Sequence, residues 1–248
     1  MRRDVRAAVF SRRVPARISR AYQQRLLRRG RLAYRSHTLA EMATARRAVL
    51  GERAGGGARL LVRLGPFPGE LDPDRLREMA DAGLPFLLAV DTSRALAREE
   101  VELLADLRRA GVAFALHGPP DVLSGRSEKA LGDALDAAEA RLAGEAAIRP
   151  DVLVAPTLRH AHWKALAKRY SVIAGDRRAV RDMGYQGTPL FRGDAVWLPA
   201  YERDPAGLTE AAGAWVPIAA RDGVDAAALA PHAASWEEFL EAVRRARG

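Results

Sequence analysis

The sequence predicts a distorted β/α barrel of seven or eight strands, preceded by a basic helical extension. Three observations carry this expectation. From about Arg59 onward, short apolar runs alternate with amphipathic helical patterns. Each run is evenly apolar, as parallel strands covered on both faces require. About seven or eight such runs fall within roughly 190 residues, too many for a short open sheet and slightly compressed for a full eightfold barrel. A chain of 248 residues with 48% hydrophobic composition can bury one core of that size.

The extension covers residues 1–58 and the barrel residues 59–248. Within the extension, Val14, Ile18, Tyr22 and Leu26 recur every four residues and Gly30 supplies a stop, which predicts a helix. Thr38 and Glu41 have capping-box spacing for a second helix, which ends before the flexible stretch GERAGGGAR.

The barrel opens with LLVRL at Leu60–Leu64. Asp72 is placed to cap the next helix, with Pro73 at its first position and Gly83 beyond its end. LPFLLAV, the helix AREEVELLADLRRAG and the strand VAFAL follow. The alternation continues through SEKALGDALDAAEARLAG, DVLVA, HWKALAKRY, SVIAG, AVWLP and DAAALA, the last read as a strand. It closes with the helix SWEEFLEAVRRA, where Ser235 and Glu238 have capping-box spacing.

Charge is segregated along this order. Net charge is +9, yet up to Arg59 there are about sixteen arginines against three acids, roughly +13, leaving roughly −4 for the barrel. An arginine-rich amphipathic helix can touch the phosphates of nucleic acid or anionic lipid, or it can be a solvated helix packed on the barrel. No nucleic-acid motif or lipid-anchoring signal accompanies the charge. The chain has no cysteine, which excludes disulfides, zinc-thiolate sites and thiol nucleophiles and suits a reducing compartment. With no signal-peptide core and no stretch of membrane-spanning length, the expectation is a cytoplasmic protein without a transmembrane segment.

In a β/α barrel the chemistry sits at the C-terminal ends of the strands. Here those ends read Gly65-Pro66-Phe67-Pro68, Asp91-Thr92-Ser93, His117-Gly118-Pro119-Pro120-Asp121, Pro156-Thr157-Leu158-Arg159-His160, Pro199-Ala200-Tyr201 and Pro231-His232. His117 and Asp121, four residues apart, can face one cation if the loop between them turns back; they can equally be a backbone-bonded histidine and a turn-capping aspartate. Asp91 can point into the mouth or cap its own loop. His160 and His162 are possible further ligands, although His162 precedes Trp163 at a helix start, where packing is the plainer role. Arg192 and Asp194 read as a strand-entry pair or a substrate contact. Tyr201, Trp197 and Trp215 read as sugar-stacking groups or as core.

The segments LLVRLGPFP, AGLPFLLAV, GVAFALHGPPD, DVLVAPTLRHAHWKALAKRYSVIAG and FRGDAVWLPAY, with a last strand ending in His232, follow one another in the order of the polysaccharide deacetylase-like (NodB-type) family. From about Arg59 to the C-terminus the chain resembles the small cytoplasmic branch of that family. The resemblance implies a metal-dependent N-deacetylase site. Its first motif holds two adjacent aspartates, a general base and a metal ligand, and the matching positions here are Gly65 and Pro66. Its two metal-binding histidines correspond to His117 and Asp121. The arginine that orients its base corresponds to Arg159, and its general acid, at the end of the last strand, to His232.

Hydrolysis of an N-acetyl group on a metal needs enough ligands to hold the ion and a base for the attacking water. Gly65 and Pro66 supply neither. The resemblance thus implies at most a weakly bound divalent ion of the zinc type at His117 and Asp121. It also implies impaired or lost hydrolysis, with a saccharide or a partner as the remaining ligand. One alternative is an active deacetylase with Asp91 as a relocated acid. The other is an interaction protein that meets polyanions through its basic arm.

Overall fold

In the computed structural model, residues 59–69, 71–119, 123, 127–158, 162–175, 179, 190–192, 194–199, 215–220 and 225–247 are described. The basic extension, with both its expected helices, lies outside them. The strands are β1 (Arg59–Phe67), β2 (Phe86–Asp91), β3 (Ala113–His117), β4 (Val152–Ala155), β5 (Val172–Gly175), β6 (Leu190–Arg192), β7 (Ala195–Pro199) and β8 (Trp215–Ala219). The helices are α1 (Pro73–Asp81), α2 (Arg98–Arg109), α3 (Glu128–Ala146), α4 (Trp163–Ala167), α5 (Ala226–Leu229) and α6 (Trp236–Arg247). The strands form one sheet in the order β6-β7-β5-β4-β3-β2-β1-β8. Every neighbouring pair is parallel except the β6–β7 hairpin. Seven parallel strands flanked by helices thus make a nearly closed β/α barrel.

Local chemistry sets most boundaries. Asp72 accepts the Asp74 amide at 3.0 Å at the start of α1, and Ser127 Oγ accepts the Ala130 amide at 2.8 Å at the start of α3. Each such cap stabilises its helix by about 1 kcal/mol. Gly83 and Gly111, at φ +72° and +84°, end the turns after α1 and α2, where a side chain would be strained. At α6, Ser235 Oγ accepts from the Glu237 amide, while Glu238 reaches across to the Arg59 guanidinium.

Two expectations fail. DAAALA is no strand: Asp225 accepts the Ala228 amide at 3.1 Å and the alanine run forms α5, the outcome alanine's helix propensity favours once a cap is present. The last strand is WVPIA. Its central Pro217 argues against a strand, but among the described residues β8 pairs on one side only, with β1, and an edge position tolerates proline.

The strands' two faces build two kinds of core. Leu60, Val62, Leu64, Phe86, Leu88 and Val90 pack with α1 and α2 on the outside, and Leu116, Leu153, Ile173 and Trp197 with α3 and α4. The alternate residues Leu61, Leu87, Ala89, Ala115, Val152, Val154, Val172, Ala174, Val196 and Leu198 face inward. Trp236, Phe239 and Val243 of α6 join that inner set. Trp236 Nε1 donates to the Val62 carbonyl at 2.7 Å, so the last helix is bonded to the first strand.

Candidate functional site

The C-terminal ends of β1, β2 and β3 bring Gly65, Asp91 and His117 to one rim. Inward-facing residues alternate, so Asp91 follows Leu87 and Ala89 on β2, and His117 follows Ala115 on β3. The two are direct register partners across the parallel pair. His117 is buried, 8% exposed, and Asp91 is half-buried. After His117 the chain stays on the sheet for one more residue, because the Gly118 amide donates to the Val154 carbonyl at 2.8 Å.

Asp91 holds its own loop. Its carboxylate accepts from the Ser93 amide at 2.9 Å and from Ser93 Oγ at 3.1 Å. The same loop is braced by Glu145, which accepts the Leu96 amide, and by Arg141, which donates to the Thr92 carbonyl. Arg94 pairs with Glu100, and the guanidinium holds the Glu100 carboxyl below the usual carboxylate range. Of the two readings open in the sequence, loop capping is the one the geometry displays.

Gly65 carries the most informative backbone of the site. The β1 strand does not stop before it but continues to Phe67, with a register shift between Leu64 and Phe67. Gly65 has φ +121°, outside the range side-chain-bearing residues adopt, and a Cβ placed on it would meet the Ala89 carbonyl oxygen at 2.7 Å and Ala89 Cβ at 2.8 Å. No side chain fits at this position. Pro66, next along, is exposed and carries no donor or acceptor group.

His232 belongs to the opposite end of the barrel, which corrects its placement at the end of the last strand. It is exposed in the short turn Ala230–His232, one residue before Ala233, which bridges Leu60 at the start of β1; the Ala234 amide donates to the Leu60 carbonyl. His117 lies level with the far end of β1, through Asp91 and Val90 opposite Phe67. Seven residues of strand separate these levels, about 23 Å at the usual rise. The error follows from the missed strand: once α5 replaces DAAALA, the chain after it runs back to the base of the sheet.

Other candidates resolve similarly. His162 is buried, its Nδ1 lies 3.1 Å from the Leu123 carbonyl, and it ties the loop after β3 to the start of α4. Trp197 packs edge-on against Trp163, with ring centroids 6.0 Å apart, in the outer core. Trp215 begins β8 at the base of the sheet and lies against Phe239, beneath Arg59. Neither tryptophan lines the mouth. Asp194 is exposed in the β6–β7 turn, just before β7 begins, and so also at the base. Asp121, Arg159, His160 and Tyr201 lie outside the described residues.

Among the described residues, no three histidine, aspartate or glutamate side chains gather to hold a cation. His117 and Asp91 give two donors, one of them already bonded to Ser93, and position 65 has no room for a third. The described donor set does not fit a resident divalent ion. One residue went unnoticed in the sequence: Arg63, whose side chain faces inward between Leu61 and Gly65 and is only 6% exposed. The alternation of LLVRL carried that signal.

A scan against models of known families returned no match, and no curated protein matches the sequence. Among solved structures, the chain is similar to a protein assigned as a polysaccharide deacetylase from Mycobacterium smegmatis, at 18% identity over 79% of this chain and 87% of that one, with a TM-score of 0.51. It is also similar to a family 4 carbohydrate esterase from Bacillus anthracis, at 12% identity over 77% and 85%, with a TM-score of 0.49. A third is a family 4 acetyl xylan esterase from Clostridium thermocellum in complex with a cobalt ion, at 11% identity over 47% and 57%, with a TM-score of 0.40. At such identities the likeness is one of fold, and the first of the three carries it: the described residues form a β/α barrel of the polysaccharide deacetylase type.

Proposed function

We propose that this chain is a saccharide-binding domain of the polysaccharide deacetylase fold that has lost the metal-dependent hydrolysis the resemblance implies. The observation that carries the reading is Gly65: its positive φ and the contact with Ala89 exclude any side chain where the resemblance expects the general base. The loss is therefore built into the backbone path of β1. General-base catalysis contributes about 10²–10⁴-fold, and activation of water by a metal is a separate contribution. Without either, the rim retains the neighbouring polar side chains of Asp91 and His117, groups that suit binding.

One observation favours a second reading. Asp91 and His117 stand side by side on the inner face of the rim, a pairing that an active deacetylase with a relocated acid would need. Against it, both Asp91 oxygens accept from Ser93.

Acetate release from N-acetylated oligosaccharides, measured on the full chain with zinc, cobalt or manganese, separates the two. The binding reading expects no release above that of His117→Ala, the control for contaminating hydrolase. Metal-dependent release that disappears in both His117→Ala and Asp91→Ala would establish the second reading instead.

A further inference from the structure

One peptide plane links the acid of the rim to a residue of α3. Asp91, which β2 brings to the rim beside His117, accepts from the Ser93 amide at 2.9 Å. That amide belongs to the same peptide unit as the Thr92 carbonyl, and the Thr92 carbonyl accepts from the Arg141 guanidinium. The Thr92–Ser93 peptide is trans, and so planar, with its N–H and C=O pointing in opposite directions. The bond from Arg141 therefore fixes the direction in which the Ser93 N–H is presented, and a turn of this plane breaks both bonds together. The guanidinium also polarises the unit that it touches, which strengthens the donor on the far side.

Arg141 makes its ion pair with Glu145, one turn along α3 and 3.9 Å away, and not with Asp91. Glu145 accepts the Leu96 amide at 2.8 Å. The two residues of α3 thus hold the β2–α2 loop at both ends, Thr92 and Leu96, while Ser93, Arg94 and Ala95 between them are exposed. We infer that Arg141 is a positioning residue for Asp91: through the Thr92–Ser93 peptide it keeps the Asp91 carboxylate on its own loop, and Glu145 steadies Arg141 and the far end of that loop. Whether the rim uses Asp91 as an acceptor for a saccharide or as an acid, the availability of that carboxylate is set from α3. The inference rests on the rim being the site, as read above, but its test reads Asp91 directly and needs no ligand.

Two readouts on the full chain test this: amide hydrogen exchange resolved by residue with NMR, and carbodiimide labelling of carboxylates followed by mass spectrometry. Arg141→Gln should speed exchange of the Ser93 amide about tenfold or more and raise the labelling of Asp91 by a similar factor, as loss of a charge-assisted bond to the shared peptide unit requires. Exchange at Leu88 in β2 and the thermal midpoint should not move, which separates positioning from a general loosening. Arg141→Lys keeps a cationic donor and should restore most of the protection of Asp91. Ser93 exchange and Asp91 labelling that stay at the wild-type level in Arg141→Gln, or that rise only together with Leu88 exchange, would overturn the inference. So would an Arg141→Lys variant no better protected than Arg141→Gln. Should Arg141→Gln not fold, Glu145→Ala decides: it should change both readouts in the same direction by less, and an unchanged Ser93 amide there would overturn the inference. Failure of an N-acetylated oligosaccharide to bind the wild-type chain would count against the binding reading alone.

Discussion

The two ends of the barrel are built from opposite materials. At the base, where the strands begin, large side chains are locked in pairs. Arg59 bonds Glu238 and covers the Trp215 ring at 5.1 Å, Trp236 bonds the Val62 carbonyl, and Tyr170 donates to Glu139, which Arg169 also holds. At the mouth the inner wall of β1 to β3 is Gly65, Ala89 and Ala115, with polar groups only at the rim and at Arg63 below. The difference teaches how this molecule closes its two ends. Buried aromatic area and paired charges hold the base, and at the level of Gly65 and Ala89 small residues let neighbouring strands approach closely.

Trp236→Ala should damage this contrast most. It removes a ring that is 2% exposed, its bond to Val62 and its edge contact with Phe239 at 5.8 Å, for a loss of about 3–5 kcal/mol in denaturant unfolding. A loss below about 1 kcal/mol would mean that α6 does not hold the base. At the mouth, Gly65→Ala should cost about 2–4 kcal/mol through backbone strain and the clash with Ala89. Gly65→Asp should be equally destabilised and should gain no acetate release with added zinc; a stable variant would show that β1 can take a side chain here.

The base should also be the alkali-sensitive end. Burial, reinforced by the Glu139 carboxylate, pushes the Tyr170 phenol well above its ordinary value. The unfolded chain then gives up this proton first. The contribution is complete below the unfolded value of about 10 and is lost as pH rises beyond it. Unfolding free energy measured from pH 8 to 11 should fall more steeply for the wild-type chain than for Tyr170→Phe; parallel slopes would remove Tyr170 from the account. Smallest of all, Arg59→Ala should cost about 0.5–1 kcal/mol, because its ion pair and ring contact are partly solvated, and the cost should shrink in high salt.

Much of the architecture was legible in the chain alone, because it rests on local chemistry. The apolar runs at β2, β3, β4, β5 and β7, the caps at Asp72 and Ser127 and the stop at Gly83 all read directly, since burial on both faces and helix capping leave their mark within a few residues. The absence of an acid at Gly65 and Pro66 could be read as well, since neither residue carries one in any fold. Tertiary structure decided the rest. Whether DAAALA or WVPIA is the last strand depended on an edge beside β1 that tolerates Pro217, and local propensity says nothing of edges. That choice sent His232 to the base, away from His117. Only the close approach of β1 to β2 turned Gly65 from a missing acid into a position closed to any side chain, and only the alternation of a strand inside a barrel turned Arg63 inward. Such facts depend on which strands become neighbours, and neighbours come from parts of the chain far apart in sequence.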